Sequence, residues 1–191
     1  MNPPVQPHPD ILPVIRERRS VRRFDPRPVE REKILACVEA ARLAPSAENA
    51  QPCRFVILDD QEIKKAFCEA AFSGVYHSTR WVLKAPTVAA IVIERKFVAG
   101  RLGPWIQGTP YHFIDVGIAG EHFVLQAKAL GLGTCWIGWF DARKARKFLN
   151  LPRSIQVAQL IALGYPLAGL KERPLRRKPL EEIVGWNRGI K

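Results

Sequence analysis

Residues 113–140 read FIDVGIAGEHFVLQAKALGLGTCWIGWF, and their spacing predicts a helix over 113–130 with apolar side chains on every side: Ile114, Val116, Ile118, Phe123, Val124, Leu125 and Leu130. Only Asp115, Glu121 and Lys128 are ionised there at neutral pH. A helix that is apolar all round is expected to be buried on all sides. Three charges within about one bilayer crossing argue against a membrane span. Gly117 and Gly120 each cost about 1 kcal/mol relative to alanine inside a helix, and their spacing lets another backbone come close. The helix is therefore expected to be shared between the core and a subunit interface, the alternative being a plain core helix with incidental glycines. Gly131-Leu132-Gly133 supplies the stop, and 134–139 reads as a strand whose far end is glycine and aromatic.

Elsewhere the pattern predicts helices over 11–18, 29–43, 61–71, 76–84 and 143–149. Ile34, Leu35, Val38 and Ala41 share one face of the second, and Asp141 can cap the last. Strands are expected over 55–58, 88–93 and 157–163. The VAAIVI run is continuously apolar and rich in β-branched residues, which marks a central strand. Residues 95–110 hold three glycines, two prolines and Trp105 and read as a loop or lid. Residues 179–184 form a short helix or an extended tail. About four strands separated by helices give an α+β layout. Residues 1–10, MNPPVQPHPD, read as a loose tail with no apolar stretch of a signal peptide, and 11–191 as a single domain.

With 191 residues the chain can bury a real core. The net charge of +12, from 30 Lys and Arg against 18 Asp and Glu, favours anionic partners: phosphorylated cofactors, nucleic acid or acidic lipid. The cysteines Cys37, Cys53, Cys68 and Cys135 form no C-x-x-C pair, so no zinc site or redox dithiol is indicated. Isolated cysteines suit a reducing cytoplasm. No G-x-G-x-x-G, G-x-x-x-x-G-K-[ST] or H-E-x-x-H motif is present.

Four stretches carry chemistry. Arg18, Arg19, Ser20 and Arg22 put three guanidinium forks and a hydroxyl within five residues, suited to a phosphate monoester; a solvated basic turn is the alternative. APSAENAQP, residues 44–52, is a proline-bracketed loop in which Ser46, Asn49 and Gln51 can bond a polyol or an amide-bearing ring edge; a turn whose polar groups satisfy one another is the alternative, and the commoner case for such a loop. At Gly138-Trp139 a backbone N–H beside glycine can approach a flat ligand. Arg173 to Lys178 is a late basic cluster that can add charge to the same phosphate, a solvated basic tail being the alternative. A nucleic-acid module is the weaker reading of this charge, since aromatics are not interleaved with the basic runs.

The order RRSVRRF, APSAENAQPCRFVI, DVGIAGEHFVLQAKALGLGTCWIG and RRKPLEEIV resembles the nitroreductase family of flavoproteins over roughly residues 11–184. That resemblance implies a mixed, mainly antiparallel sheet flanked by helices, in a domain-swapped homodimer with FMN at the interface. It implies hydride transfer from NADH or NADPH through flavin N5 to a small acceptor (a nitroaromatic, quinone or enone), with ping-pong kinetics. By matching positions, Arg18, Arg19 and Ser20 would hold the phosphate and Arg22 would face the pyrimidine edge. Pro45, Ser46, Ala47 and Asn49 would come from the partner chain, the Gly138 amide would meet N5, and Arg177, rather than Arg176, would close the phosphate site. Trp81, Trp105 and Trp139 would line the acceptor pocket. No metal and no dedicated acid–base residue is required. An FMN-binding protein without turnover, for storage or sensing, is the alternative. Cys53 stands where the family usually has tryptophan, and Ser78 and Trp81 where some relatives have Asn and Lys.

Overall fold

The continuous apolar run near residue 90 forms a strand that is buried along both faces. A computed structural model describes residues 11–94, 109–169, 174–187 and 189. Its strands are β1 (Cys53–Leu58), β2 (Thr87–Glu94), β3 (Gly133–Ile137) and β4 (Ile155–Gly164), antiparallel in the order β1-β2-β4-β3. Val88, Ala90 and Val92 of β2 face one core with α3 (Gln61–Ala71), α5 (Ala142–Phe148) and the 3-10 turns of Gly74–Lys84. Ala89, Ile91 and Ile93 face a second core with α2 (Arg31–Arg42) and α4 (Tyr111–Ala129). The short α1 (Leu12–Glu17) buries no residue and packs near α4.

In β4 the pattern of alternation changes part-way. Ile91 pairs with Gln159 but Val92 with Val157, leaving Ala158 as an extra residue. Such a bulge shifts side-chain parity. As a result Ile155 and Val157 before it, and Leu160 and Ala162 after it, all face the same core. The chain also adds to the sheet outside its named strands: Ser20 bridges Thr134 in parallel and Phe24 bridges Pro166 antiparallel. The four named strands themselves pair only antiparallel.

The helix boundaries follow local chemistry. Asp141 accepts the Arg143 and Lys144 amides at 3.0 and 2.9 Å, as expected of an N-cap. Asp60 caps α3 by accepting the Ile63 amide at 2.9 Å. Gly131, at φ +77°, closes α4, and the Leu132 amide reaches back to the Ala127 carbonyl at 2.9 Å.

Two features of α4 set it apart from a uniformly packed core helix. Within the chain it is not covered on all sides: Val116, Ala119, Phe123, Val124 and Ala127 are buried, while Phe113, Ile114 and Gly117 are exposed. Nor do its two glycines share a role. Space beside Gly117 is open, whereas a methyl group on Gly120 would overlap the Trp136 ring. Uniform apolarity hid this difference, because one face meets the sheet and the other is left open by the described residues. Residues 174–187 are likewise exposed throughout, Leu180, Ile183 and Trp186 among them. Among the described residues no helix is long and apolar enough to cross a membrane. Residues 1–10 and the greater part of the 95–110 loop, with Trp105, lie outside the described residues.

Candidate functional site

The arginine turn is held by main-chain bonds. Val21 N–H donates to the Thr134 carbonyl at 2.8 Å, Asp25 N–H to Tyr165 at 2.9 Å, and Leu167 N–H to Arg23 at 3.0 Å. The turn thus lies between β3 and the segment after β4. Close approach needs a glycine, since a methyl group on Gly133 would sit 2.7 Å from Val21 Cγ2. A cavity of about 950 Å³ opens here. Arg18, Arg19, Ser20 and Arg22 all line it, together with Arg23, Arg27 and Lys128. Among the described residues, the carboxylates in its lining are those of Glu17 and Asp25, against six cations, so its field is strongly positive.

Several of these cations are already oriented. Arg18 lies 3.6 Å from Glu121, and Lys128 lies 3.1 Å from Glu17. Arg19 Nη1 donates to the carbonyls of Arg16 and Arg18 at 2.6 and 3.0 Å. Arg22 sits 5.9 Å from the centre of the Trp81 ring. Beneath the turn, burial pushes the Cys135 thiol up, while Arg22, Ser20 and Arg18 pull it back.

Strand β3 leads from Thr134 to Gly138, four residues or roughly 13 Å. Gly138 and Trp139 are exposed just beyond its end. Trp139 Nε1 donates to the Val75 carbonyl at 3.1 Å, and its ring lies 4.9 Å from Tyr76. Trp81 packs partly against the first core. None of these three residues lines the arginine cavity: Gly138 and Trp139 stand past the other end of β3, and Trp81 lies beside Arg22.

Residues 45–52 lie on the opposite side, over α4. Glu48, Asn49 and Gln51 have φ of 51°, 55° and 48°, a left-handed region that non-glycine residues enter at a cost of about 1–3 kcal/mol each. Ser46 Oγ accepts the Gln51 amide at 2.9 Å, and Gln51 Nε2 donates to Asn49 Oδ1 at 3.1 Å. Ala47 N–H donates to Asp115 Oδ1 at 2.9 Å. Pro45, Ser46, Cys53 and Asp115 border a hollow of about 120 Å³. Burial, with Asp115 adding to it, pushes the Cys53 thiol up to about 11. Within one chain, Pro45, Ser46, Ala47 and Asn49 do not reach the arginine cavity.

The Nitroreductase family model matches residues 15–165. The chain belongs to the nitroreductase family. Over 196 residues it is 31% identical to a Thermus thermophilus protein described as NADH dehydrogenase, covering 89% of this chain and 92% of that one. It is 26% identical over 189 residues to the iodotyrosine deiodinase of Thermotoga neapolitana, covering 91% and 95%. A solved nitroreductase family protein from Clostridium novyi NT superposes with a TM-score of 0.73 at 29% identity, covering 86% of this chain and 89% of that one. An FMN-dependent nitroreductase from Clostridium difficile R20291 shares the fold, with a TM-score of 0.74 at 24% identity and coverage of 93% and 99%.

In this member of the family the residues expected to contact cofactor thus fall in three places: the arginine cavity, the far end of β3 and the loop over α4. Arg177 is in none of them; it is exposed and donates to the Arg176 carbonyl at 2.9 Å. Sequence reasoning missed Tyr165, which lines the cavity. Arg27 stacks on its ring at 3.5 Å, and its hydroxyl joins Lys33 and Glu30. It also missed the two acids that orient the site from α4, Glu121 and Asp115. Their signal was available: with Lys128 they are the charged residues of an otherwise apolar helix.

Proposed function

We propose that this chain is an FMN-dependent NAD(P)H oxidoreductase that reduces a small organic acceptor, a nitroaromatic, quinone or enone, as a homodimer in the cytoplasm. The observation that carries the reading is the cavity in which Arg18, Arg19, Ser20 and Arg22 converge. Its donor set fits a phosphate monoester: planar forks that bind oxygens in pairs, a neutral hydroxyl, and few competing carboxylates. With a phosphate at the turn, the ribityl chain and the flat ring together would extend along β3 towards the Gly138 amide.

Bound FMN would supply a ring that takes hydride from a nicotinamide and passes it to the acceptor. The chain's own residues would do the rest. Arg18, Arg19 and Ser20 would hold the phosphate, with Arg177 of the late basic stretch closing the site. Arg22, packed towards Trp81, would place its charge at the pyrimidine edge. The Gly138 amide would donate to N5. Trp81 and Trp139, with Trp105 from the 95–110 loop, would form the acceptor's walls. Pro45, Ser46, Ala47 and Asn49 would reach the other subunit's cofactor. In support of that sharing, the loop stands away from its own arginine cavity, and α4 and residues 174–187 expose apolar side chains that a second copy would cover.

The test is a titration of apoprotein with FMN, followed by anaerobic addition of NADH or NADPH. The expected result is tight uptake of FMN and bleaching of its visible band, then recovery on adding an acceptor in stopped flow. A colourless protein that takes up no FMN overturns the reading. Uptake without bleaching would leave a flavin-binding protein that does not turn over.

A further inference from the structure

We propose that Asp115 is a positioning residue of the cofactor site, whose buried carboxylate presets the 46–51 loop before cofactor arrives. The proposal rests on the functional reading above, in which that loop serves the other subunit. Asp115 is only 5% exposed, on a face of α4 that otherwise presents Val116, Ala119 and Phe123 to the core. A carboxylate in such a place is costly unless it accepts hydrogen bonds. Here Oδ1 accepts the Ala47 amide, from a residue 68 positions earlier in the chain.

That bond falls at the start of the strained part of the loop. Glu48, Asn49 and Gln51 follow at once in the left-handed region. Such conformations persist only where the surroundings over-determine them. Inside the loop the Ser46 and Asn49 side chains tie it to Gln51. Those links fix the loop's shape but do not fix where it stands on the protein. The Asp115–Ala47 bond fastens the loop to the helix at the centre of the second core. Proper placement of Asn49 in a neighbouring subunit's site therefore depends on a carboxylate that itself touches no cofactor.

The experiment uses three full-length chains: wild type, Asp115→Ala and Asp115→Asn. Asparagine keeps an oxygen that can accept the Ala47 amide, whereas alanine has none. FMN affinity of the apoproteins is expected to fall roughly tenfold for alanine and to be largely rescued by asparagine. Equal affinity for alanine and wild type overturns the proposal. Hydrogen exchange of the Ala47–Gln51 amides in the apoproteins reads the same hold without cofactor; it should speed up for alanine, and unchanged exchange overturns the proposal even if FMN does not bind at all. Failure of the wild type to take up FMN would instead remove the functional reading. A mixed dimer of one Asp115→Ala chain with one Arg19→Ala chain separates positioning from general damage. Both lesions should meet in one site and leave the other at wild-type affinity; two equally weakened sites overturn the proposal. Should Asp115→Ala fail to fold, Asp115→Ser, whose hydroxyl is too short to reach the amide, takes its place in each measurement.

Discussion

The arginine turn and the 45–52 loop are the two halves of the proposed site, and they are held in opposite ways. The turn is ordinary backbone bridged to β3 and to the segment after β4, and none of its residues is left-handed. Its chemistry lies in its side chains. The loop has three left-handed residues and is fastened by side-chain bonds, one of them to a buried acid on a distant helix. Its chemistry lies in its shape. A charged half can therefore lose a donor and keep its frame, whereas a shaped half can keep every donor and lose its function.

The sharpest test of that difference attacks the frame of the turn. Gly133→Val would drive side-chain atoms into Val21 and Pro166. Overpacking of this kind costs about 1–3 kcal/mol, and FMN affinity should fall about a hundredfold as the arginines lose their platform. Titration and thermal unfolding measured together would show it, and wild-type behaviour in both would mean the close approach does not matter.

Removing a donor from the intact frame should have the next largest effect. Hydrogen bonds to charged groups contribute about 1.5–3 kcal/mol, so Arg19→Ala should weaken FMN binding roughly tenfold or more, with little change in melting temperature. Asn49→Ala removes a neutral donor and should cost about threefold to tenfold. If Asn49→Ala proves the more damaging, the ranking of the two halves is reversed.

Glu48→Gly separates shape from strain. Glycine relieves the left-handed penalty but gives the unfolded chain more freedom, so stability should change by no more than about 1 kcal/mol. FMN affinity should nevertheless drop severalfold, because the loop is less defined. A large loss of stability with normal affinity would contradict this.

The smallest expected effect is a pH dependence. The Cys53 thiol beside the loop is pushed up to about 11 from an ordinary 9.0. Its folded-state pKa lies above its unfolded one, so it adds stability that is complete below pH 9 and is lost as pH rises through 11. Melting temperature should fall over that window, less steeply in Cys53→Ala. A fall of identical slope in both proteins would remove the assignment.

The turn was legible in the sequence because its meaning is carried by residue type: guanidinium groups and a hydroxyl within five positions mean much the same in any frame. The loop's residues could be named, but not why they are held as they are. Left-handed Glu48 and Gln51 leave no mark in local propensity, and their anchor Asp115 lies 68 residues from Ala47. The strands were legible through β2, whose unbroken apolar run requires cover on both faces. The change of parity in β4 was not, because an extra Ala158 reads like any other small residue. The covered and open faces of α4 were indistinguishable for the same reason, since apolar side chains suit either a sheet or a second subunit.

Trp136 lies across Gly120 with its indole N–H 3.3 Å from one oxygen of Glu121, whose other oxygen lies 3.6 Å from Arg18. Indole emission responds to a nearby carboxylate and to the bond its N–H makes. An anion that draws Arg18 towards itself changes what Glu121 offers the ring. In a chain whose other four tryptophans are replaced by phenylalanine, Trp136 would thus be a lamp beside the arginine cavity, and inorganic phosphate or pyrophosphate entering it would be read in the colour and brightness of that one ring.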